Sequence, residues 1–467
     1  MAQEYRAFSA PGKALLAGGY LVLDPAYGGY VTALSARIHA VVKGSYSDNQ
    51  LVLKETTVSV KSPQFKRSTW TYTYSLNQFD SFIGLVNPDE TKNPFAEAAV
   101  NTVLAYVNPV NHSRIEITIF SDDAYHSQDK DELLPNSEQP SNRFHWHSFP
   151  ISDVPKTGLG SSAALTSALT TAILLYYKPE LDVTDLKVKS VIHNLSQLAH
   201  CTAQKKIGSG FDVASAVCGS IVYKRFPEST LSIISDDVSG VSKDEYSKKV
   251  RFLIDQPWDI TLDPCNMPGG LTLLMGDING GSETPKLVSK VLAWRKADPE
   301  DANKLWADLN RSNMRLVKLF NDLNATNFSN PEAYNGLIAK CASLSGDELA
   351  KLGSVSSSDT FSQVSLNFQD IRHNLRLMTE KSGAPIEPPS QTKLLDNCNR
   401  LPGVLGGVVP GAGGFDAICL VVFQQSLEDI KKLTKNDAAF NNLKWLDLHE
   451  EKVGVKEESL ELYKNLF

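Results

Sequence analysis

Residues 155–164 read Pro-Lys-Thr-Gly-Leu-Gly-Ser-Ser-Ala-Ala, and from Thr157 to Tyr177 no charged residue occurs. A glycine-rich turn running into a long uncharged helix restricts what this chain can be. Glycines let the backbone turn tightly and come close to a ligand. Free N–H groups at the start of the following helix, together with its positive dipole end, make an anion site. Ser161 and Ser162 add hydroxyls for phosphate oxygens or Mg²⁺. The candidate phosphate loop is therefore Lys156, Thr157, Gly158, Leu159, Gly160, Ser161, Ser162, Ala163 and Ala164; a plain serine-capped helix start is the structural alternative. A Walker A loop needs lysine after the last glycine, and Ser161 stands there, which rules that motif out. Gly158-x-Gly160-x-x-Ala163 does satisfy a dinucleotide fingerprint. The strand that fingerprint requires after its helix is replaced by Lys178-Pro179-Glu180-Leu181-Asp182, so an NAD-dependent dehydrogenase is retained only as the alternative from another class. The run 157–177 is about long enough to cross a bilayer, but its glycines, serines and threonines predict a buried helix and no membrane span.

A length of 467 residues suggests two domains, divided near residue 225 into 1–225 and 226–467. The first half mixes strands with glycine-punctuated turns. Residues 114–120 alternate with Ile115, Ile117 and Ile119 on one face, as a half-buried strand does. Asn93-Pro94 supplies an N-cap and a favoured first residue for a helix over 95–107. Residues 121–143 and 235–249 read as polar surface loops. The second half is more helical, with Phe368, Ile371, Leu375 and Met378 on one helix face before Gly383 and Pro385. Residues 417–423 form a short apolar run fit for a buried strand. The class predicted is α+β. Lys+Arg of 46 against Asp+Glu of 53 gives a net charge of −7, which argues against nucleic acid as a partner. The six cysteines are widely spaced and read as reduced thiols of an intracellular, cytosolic protein. The beginning lacks a signal-like apolar segment, and the last three residues are not a peroxisomal tripeptide.

Three further segments carry candidate chemistry. Pro11-Gly12-Lys13 places a lysine in a turn between apolar stretches; taken alone, Lys13 reads as well as a solvated turn residue. Gly411-Ala412-Gly413-Gly414 is either a hairpin turn or a backbone nest facing an anion. Residues 271–275 read as a strand, 277–282 as a glycine-rich loop, and Thr284-Pro285 as the cap and first residue of a helix with Lys286 in its first turn. A cation at a positive helix end is unfavourable unless an anion binds there, so Ser282, Thr284 and Lys286 are candidates for an acceptor's anionic group, against the alternative of a capped surface helix. His145 and His147 alternate along an expected strand and are read as surface residues, not metal ligands.

Pro-Gly-Lys near the start, Gly-Leu-Gly-Ser-Ser-Ala-Ala near 160 and Gly-Ala-Gly-Gly near 412, in this order, resemble the three motifs of the GHMP kinase superfamily. Within it the resemblance is nearest to the fungal phosphomevalonate kinase family. Similar stretches include residues 120–127, Ile207-Gly-Ser-Gly-Phe-Asp-Val213 and Ile386-Glu-Pro-Pro-Ser-Gln391, so the likeness covers nearly the whole chain. It implies a ribosomal-S5-like N-terminal domain, a ferredoxin-like C-terminal domain and a cleft between them. It also implies ATP and Mg²⁺ as cofactors, mevalonate 5-phosphate as acceptor, and a place in isoprenoid and sterol synthesis. Mevalonate kinase and diphosphomevalonate decarboxylase are the alternatives inside the superfamily. By the same resemblance Lys13 stands between the transferred phosphoryl and the acceptor, and Asp212 lies near the acceptor oxygen. Ser162 helps ligate Mg²⁺, while Gly411, Ala412 and Gly413 present N–H groups. One departure stands out. Mevalonate kinases carry a metal-binding Glu before that aspartate, and residues 198–207 hold no acid.

Overall fold

The computed structural model describes residues 5–46, 55–74, 85–86, 92–126, 141, 143–234, 241–278, 283–356 and 359–466. Two sheets organise them. The larger has nine strands, in the order β13-β1-β2-β6-β3-β4-β5, with β7 on β2 and β8 on β7. Its members are β1 (Tyr5–Ala17), β2 (Gly28–Tyr46), β3 (Thr56–Lys61), β4 (Thr69–Tyr74), β5 (Leu85–Val86), β6 (Ser113–Ser121), β7 (Ile221–Lys224), β8 (Thr261–Pro264) and β13 (Lys456–Glu458). The smaller sheet runs β10-β11-β9-β12 and is antiparallel throughout. It comprises β9 (Leu271–Ile278), β10 (Val404–Val408), β11 (Ala417–Phe423) and β12 (Leu443–Trp445). Residues on both sides of position 225 thus enter the larger sheet, which extends to Pro264 and takes Lys456–Glu458 back from the far end of the chain.

The elements follow from their sequences. β6 buries Ile115, Ile117 and Ile119 as its alternation predicts. Helix α1 (Pro94–Val107) starts where expected, with the Asn93 side chain accepting the Ala96 N–H, a cap of about 1 kcal/mol. Helix α2 (Ser161–Tyr177) is buried along most of its length. Its threonines are tolerated there because Thr166 and Thr171 donate their hydroxyls to the carbonyls of Ser162 and Ser167, one turn back. Among the described residues no helix is long and apolar enough to cross a membrane. After α2 comes helix α3 (Leu186–Gln204) and then α4 (Phe211–Cys218). The second strand that a dinucleotide fold requires is missing there.

Two local expectations fail here. Residues 243–249, read as part of a polar loop, open helix α5 (Lys243–Asp255). Ser242 caps it by accepting the Glu245 N–H, and Ser247, Val250 and Ile254 form its buried stripe. The stripe is narrow because most of the helix faces water, which made composition a poor guide. His145 and His147 lie in an irregular stretch instead of a strand, and the described residues hold no cluster of three or more potential metal ligands.

The remaining helices are α6 (Thr284–Ala297), α7 (Pro299–Ser329), α8 (Pro331–Cys341), α9 (Gly346–Val355), α10 (Thr360–Ser382), α11 (Pro389–Asn399) and α12 (Leu427–Lys435). α10 buries Phe368, Ile371, Leu375 and Met378 and ends at Gly383 in the left-handed conformation, as its sequence predicts. Between α10 and α11 lies a fully buried Glu387. Arg372 of α10 grips it at 2.7 Å and 3.1 Å, Arg376 adds a contact at 3.1 Å, and Asp396 of α11 takes the other side of Arg372 at 2.8 Å. The preceding carbonyl, that of Ile386, accepts the N–H of Gly414 at 3.0 Å. This ion cluster therefore fixes the height of the β10–β11 connection. Glu387→Ala leaves the buried Arg372 short of its main partner, and breaking such a pair costs about 3–5 kcal/mol. The expected result is a lower urea midpoint by tryptophan fluorescence; an unchanged midpoint would show that the cluster does not anchor this corner.

Candidate active site

β1 and β2 shift register between Pro11 and Gly12, and this irregularity lets the phosphate loop lie directly on β1. A Cβ at position 12 would fall 2.9 Å from the Leu159 carbonyl oxygen and 2.9 Å from the Tyr125 hydroxyl. Only glycine admits that contact. The next residue uses it: Lys13 N–H donates to the Leu159 carbonyl at 2.9 Å, and its ammonium reaches the Gly158 carbonyl at 3.3 Å. From the other side, Thr157 donates its N–H to the Tyr125 carbonyl and its hydroxyl to the Ala124 carbonyl. The loop is thus clamped at 157–159 before α2 begins.

Gly160 turns the loop into the helix with φ 82°, where a side chain is strained, and a Cβ there would sit 3.0 Å from Lys13 Cε. Ala164 N–H is already taken by the Gly160 carbonyl, which leaves the first-turn amides of Ser161, Ser162 and Ala163 to face an anion. Burial lowers the pKa of Lys13, opposed by the charge of Asp212, and the ammonium lies 5.7 Å from the Phe211 ring centroid. Asp212 stands in the first turn of α4, just after Gly210.

A third side chain joins these groups, and the sequence did not disclose it. His200 of α3 is buried, with Nε2 at 3.1 Å from Ser162 Oγ, 3.9 Å from Asp212 Oδ2 and 3.4 Å from Gln204 Nε2, and its ring lies 5.4 Å from that of Phe95. His200 and Gln204 are four apart on one helix face, which is the one signal that could have pointed to them.

The turn at Gly160–Ser162 separates two cavities. The larger, of 610 Å³, is bordered by Lys13, Gly160, His200, Asp212, Thr284, Gly411 and Ala412, among others. The smaller, of 220 Å³, is lined by Trp70, Phe95, Ile119, Ile151, Leu165, His126, Lys156, Ser161 and Ser162. Burial lowers His126 to about 3, so its ring is neutral near pH 7. The buried Trp70 Nε1 has no hydrogen-bond partner among the described residues. The third motif closes over the first: Gly411 N–H donates to the Leu15 carbonyl at 3.2 Å, and Tyr20 donates its hydroxyl to the Ala412 carbonyl at 2.6 Å.

The expected residues divide accordingly. Lys13, Gly160, Asp212, Thr284, Gly411 and Ala412 meet at the larger cavity, and Lys156, Ser161 and Ser162 border the smaller. Leu159, Ala163 and Ala164 are buried, and contribute backbone only. Gly413 packs on Ile386, where a Cβ would clash with its carbonyl. Thr284 is the first residue of α6, with Glu283 in the cap position. Lys286 is 74% exposed, pairs with Glu283 at 2.5 Å and does not line the cavity. Ser282 lies outside the described residues.

Known proteins resemble this chain in sequence and in fold. Residues 138–220 match the family of GHMP kinase N-terminal domains. The chain is 42% identical over 464 residues to a phosphomevalonate kinase of Candida albicans, covering 98% of this chain and 99% of that one. It is 35% identical to a phosphomevalonate kinase of Gibberella zeae, covering 98% and 97%. Among solved structures, Streptococcus pneumoniae phosphomevalonate kinase in complex with phosphomevalonate and AMPPNP superimposes with a TM-score of 0.57 at 12% identity, over 97% of this chain and 100% of that one; that likeness is one of fold. A side chain at position 160 is expected to displace Lys13 and block the approach to the helix amides. Gly160→Val should therefore lose ATP binding at least tenfold in calorimetry, about 1.4 kcal/mol, while its circular dichroism stays that of the unaltered protein. Full ATP affinity in a folded Gly160→Val protein would remove this loop from the site.

Proposed function

The chain belongs to the phosphomevalonate kinase family, and from that premise we propose that it transfers the γ-phosphoryl group of ATP to the phosphate of mevalonate 5-phosphate, giving ADP and mevalonate 5-diphosphate. The observation that carries this reading is the pair of cavities meeting at Gly160–Ser162. The smaller suits a nucleoside, with aromatic and aliphatic walls from Trp70, Phe95, Ile119, Ile151 and Leu165. The larger suits a small anion, with Lys13 at its junction with the phosphate loop. A triphosphate crossing from one to the other would run along the first-turn amides of α2. Lys156 and the 157–164 loop hold the nucleotide phosphates in this reading; Thr284, Gly411 and Ala412 bound the acceptor side, whereas Lys286, paired with Glu283 outside the cavity, takes no part in it. The acceptor cavity draws on both sequence halves, 1–225 and 226–467.

Phosphoryl transfer asks chiefly for alignment and neutralisation of charge. Lys13 supplies a cation held by two contacts to the phosphate loop, so its position is set before substrate arrives. For Mg²⁺ the fit rests on donor chemistry. Ser162 Oγ and the Asp212 carboxylate are hard oxygen ligands gathered around His200, and since the described residues hold no cluster of three or more potential metal ligands, nucleotide oxygens and water would complete the set. A Mg²⁺ held there would supply positive charge to neutralise the nucleotide phosphates. Ser162 would hold it, Asp212 would face it or the acceptor, and His200 orients the serine hydroxyl. The acceptor is already a phosphate monoester, mostly dianionic at neutral pH with a second pKa near ~6, so its oxygen needs no general base there. A cytoplasmic setting, within isoprenoid and sterol synthesis, accords with six free cysteines, five of them buried.

Offering ATP with mevalonate, its 5-phosphate and its 5-diphosphate in turn, and identifying products, tests the assignment; turnover of mevalonate in preference to its 5-phosphate would overturn it. The mechanism makes a further demand. At pH 8, Lys13→Met should lower kcat far more than Asp212→Asn. Below pH 6 the acceptor gains a proton, and the Asp212→Asn defect should deepen relative to the unaltered enzyme. A severe Asp212→Asn defect that is independent of pH, equal to that of Lys13→Met, would show that Asp212 works by holding Lys13 or the acceptor in place.

A further inference from the structure

Five charged residues line the larger cavity: Lys13, Lys206 and Arg225 against Asp212 and Glu228. Lys13 is served by Asp212, whose charge opposes the desolvation of its ammonium. Arg225 is served by Glu228 at 2.9 Å. Among the described residues, Lys206 makes no ion pair or hydrogen bond with its ammonium, so the cavity carries one uncompensated positive charge at a known side chain. Its backbone is held firmly. Lys205 ends α3 in the left-handed conformation and turns the chain, and Lys206 N–H donates to the Cys201 carbonyl. The two residues that follow are fixed by the buried Arg225, which donates to the carbonyls of Ile207 at 3.4 Å and Gly208 at 3.0 Å, and to that of Leu23 at 2.8 Å. Arg225 is spent on this scaffold. Lys206 is not.

The acceptor named above has two anionic ends. Its phosphate is the reacting group and must lie beside Lys13 and the phosphate loop. The other end of its five-carbon chain is a carboxylate, which loses hydration on entering a cavity and needs a cation or donors in return. We propose that Lys206 is the specificity residue that binds this carboxylate, and that Arg225 is the positioning residue which sets the 206–210 loop so that Lys206 and Asp212 face the same cavity. The inference rests on the acceptor assignment of the preceding section. On it, the enzyme distinguishes its substrate from other alkyl phosphates at the end remote from the reaction.

The test pairs one substitution with one altered acceptor. Lys206→Met should raise KM for mevalonate 5-phosphate about fivefold, the equivalent of one partly exposed charge pair, with KM for ATP unmoved and kcat changed little. 3-Hydroxy-3-methylbutyl phosphate, which lacks only the carboxylate, should be a poor acceptor that the unaltered enzyme and Lys206→Met treat alike. Lys206→Arg should restore most of the affinity for the natural acceptor, because it returns the charge. Arg225→Lys, with an intact charge but without the fork that holds two carbonyls, should weaken acceptor and catalysis together. If Lys206→Met raises KM for both acceptors equally, the lysine serves the phosphate and the proposal falls; it falls also if neither KM moves. A failure of the acceptor assignment itself is seen separately, as an unaltered enzyme that does not phosphorylate mevalonate 5-phosphate.

Discussion

The contact between Gly12 and the Leu159 carbonyl organises everything else in the site. It brings the phosphate loop onto the β1–β2 pair of the larger sheet at a distance that no side chain permits. Because Lys13 follows directly, its amide and its ammonium both bind loop carbonyls, and the reactive cation is placed by the same packing that places the loop. The register shift in β1 and the left-handed turn at Gly160 are the local distortions that allow it.

Much of this was legible in the sequence, for identifiable reasons. The α1 cap at Asn93, the buried stripe of α10, the alternation of β6 and the apolar run of β11 are local patterns, and each appears at the residues expected. Glycine-rich loops were also visible, because glycine at such density has few other uses. What escaped was of two kinds. The α5 helix is mostly solvated, so its periodicity was diluted by charge. His200, Lys206, Arg225 and Trp70 are single residues of ordinary type whose meaning comes from long-range packing. Nothing adjacent to His200 in sequence indicates Ser162, thirty-eight positions earlier. Lys286 shows the converse: its sequence position at a helix start invites an anion, whereas in space a neighbouring glutamate already engages it.

The third motif illustrates how buried charge serves position more than stability. Glu387 with Arg372, Arg376 and Asp396 forms a dense ionic knot, and such knots rarely stabilise better than apolar packing of equal volume. Its value lies in direction. An ion cluster with fixed donor angles holds the Ile386 carbonyl at one height, and the Gly414 amide takes its position from that carbonyl. Apolar contacts alone would allow the β10–β11 connection to settle over a range of heights above Leu15 and Tyr20.

β1 carries the catalytic lysine, and its outer edge is paired by β13, with Arg6 and Glu457 bridged although they lie 451 positions apart. On the ribosome these two partners emerge far apart in time. At about 5–20 residues per second the interval is roughly 20–90 s. Through that interval the strand bearing Lys13 has an open edge, and its hydrogen-bonding groups are available to any other extended chain. The nascent protein is therefore a nucleotide site without a finished frame, and the last strand to be made is the one that shuts the first against wrong partners.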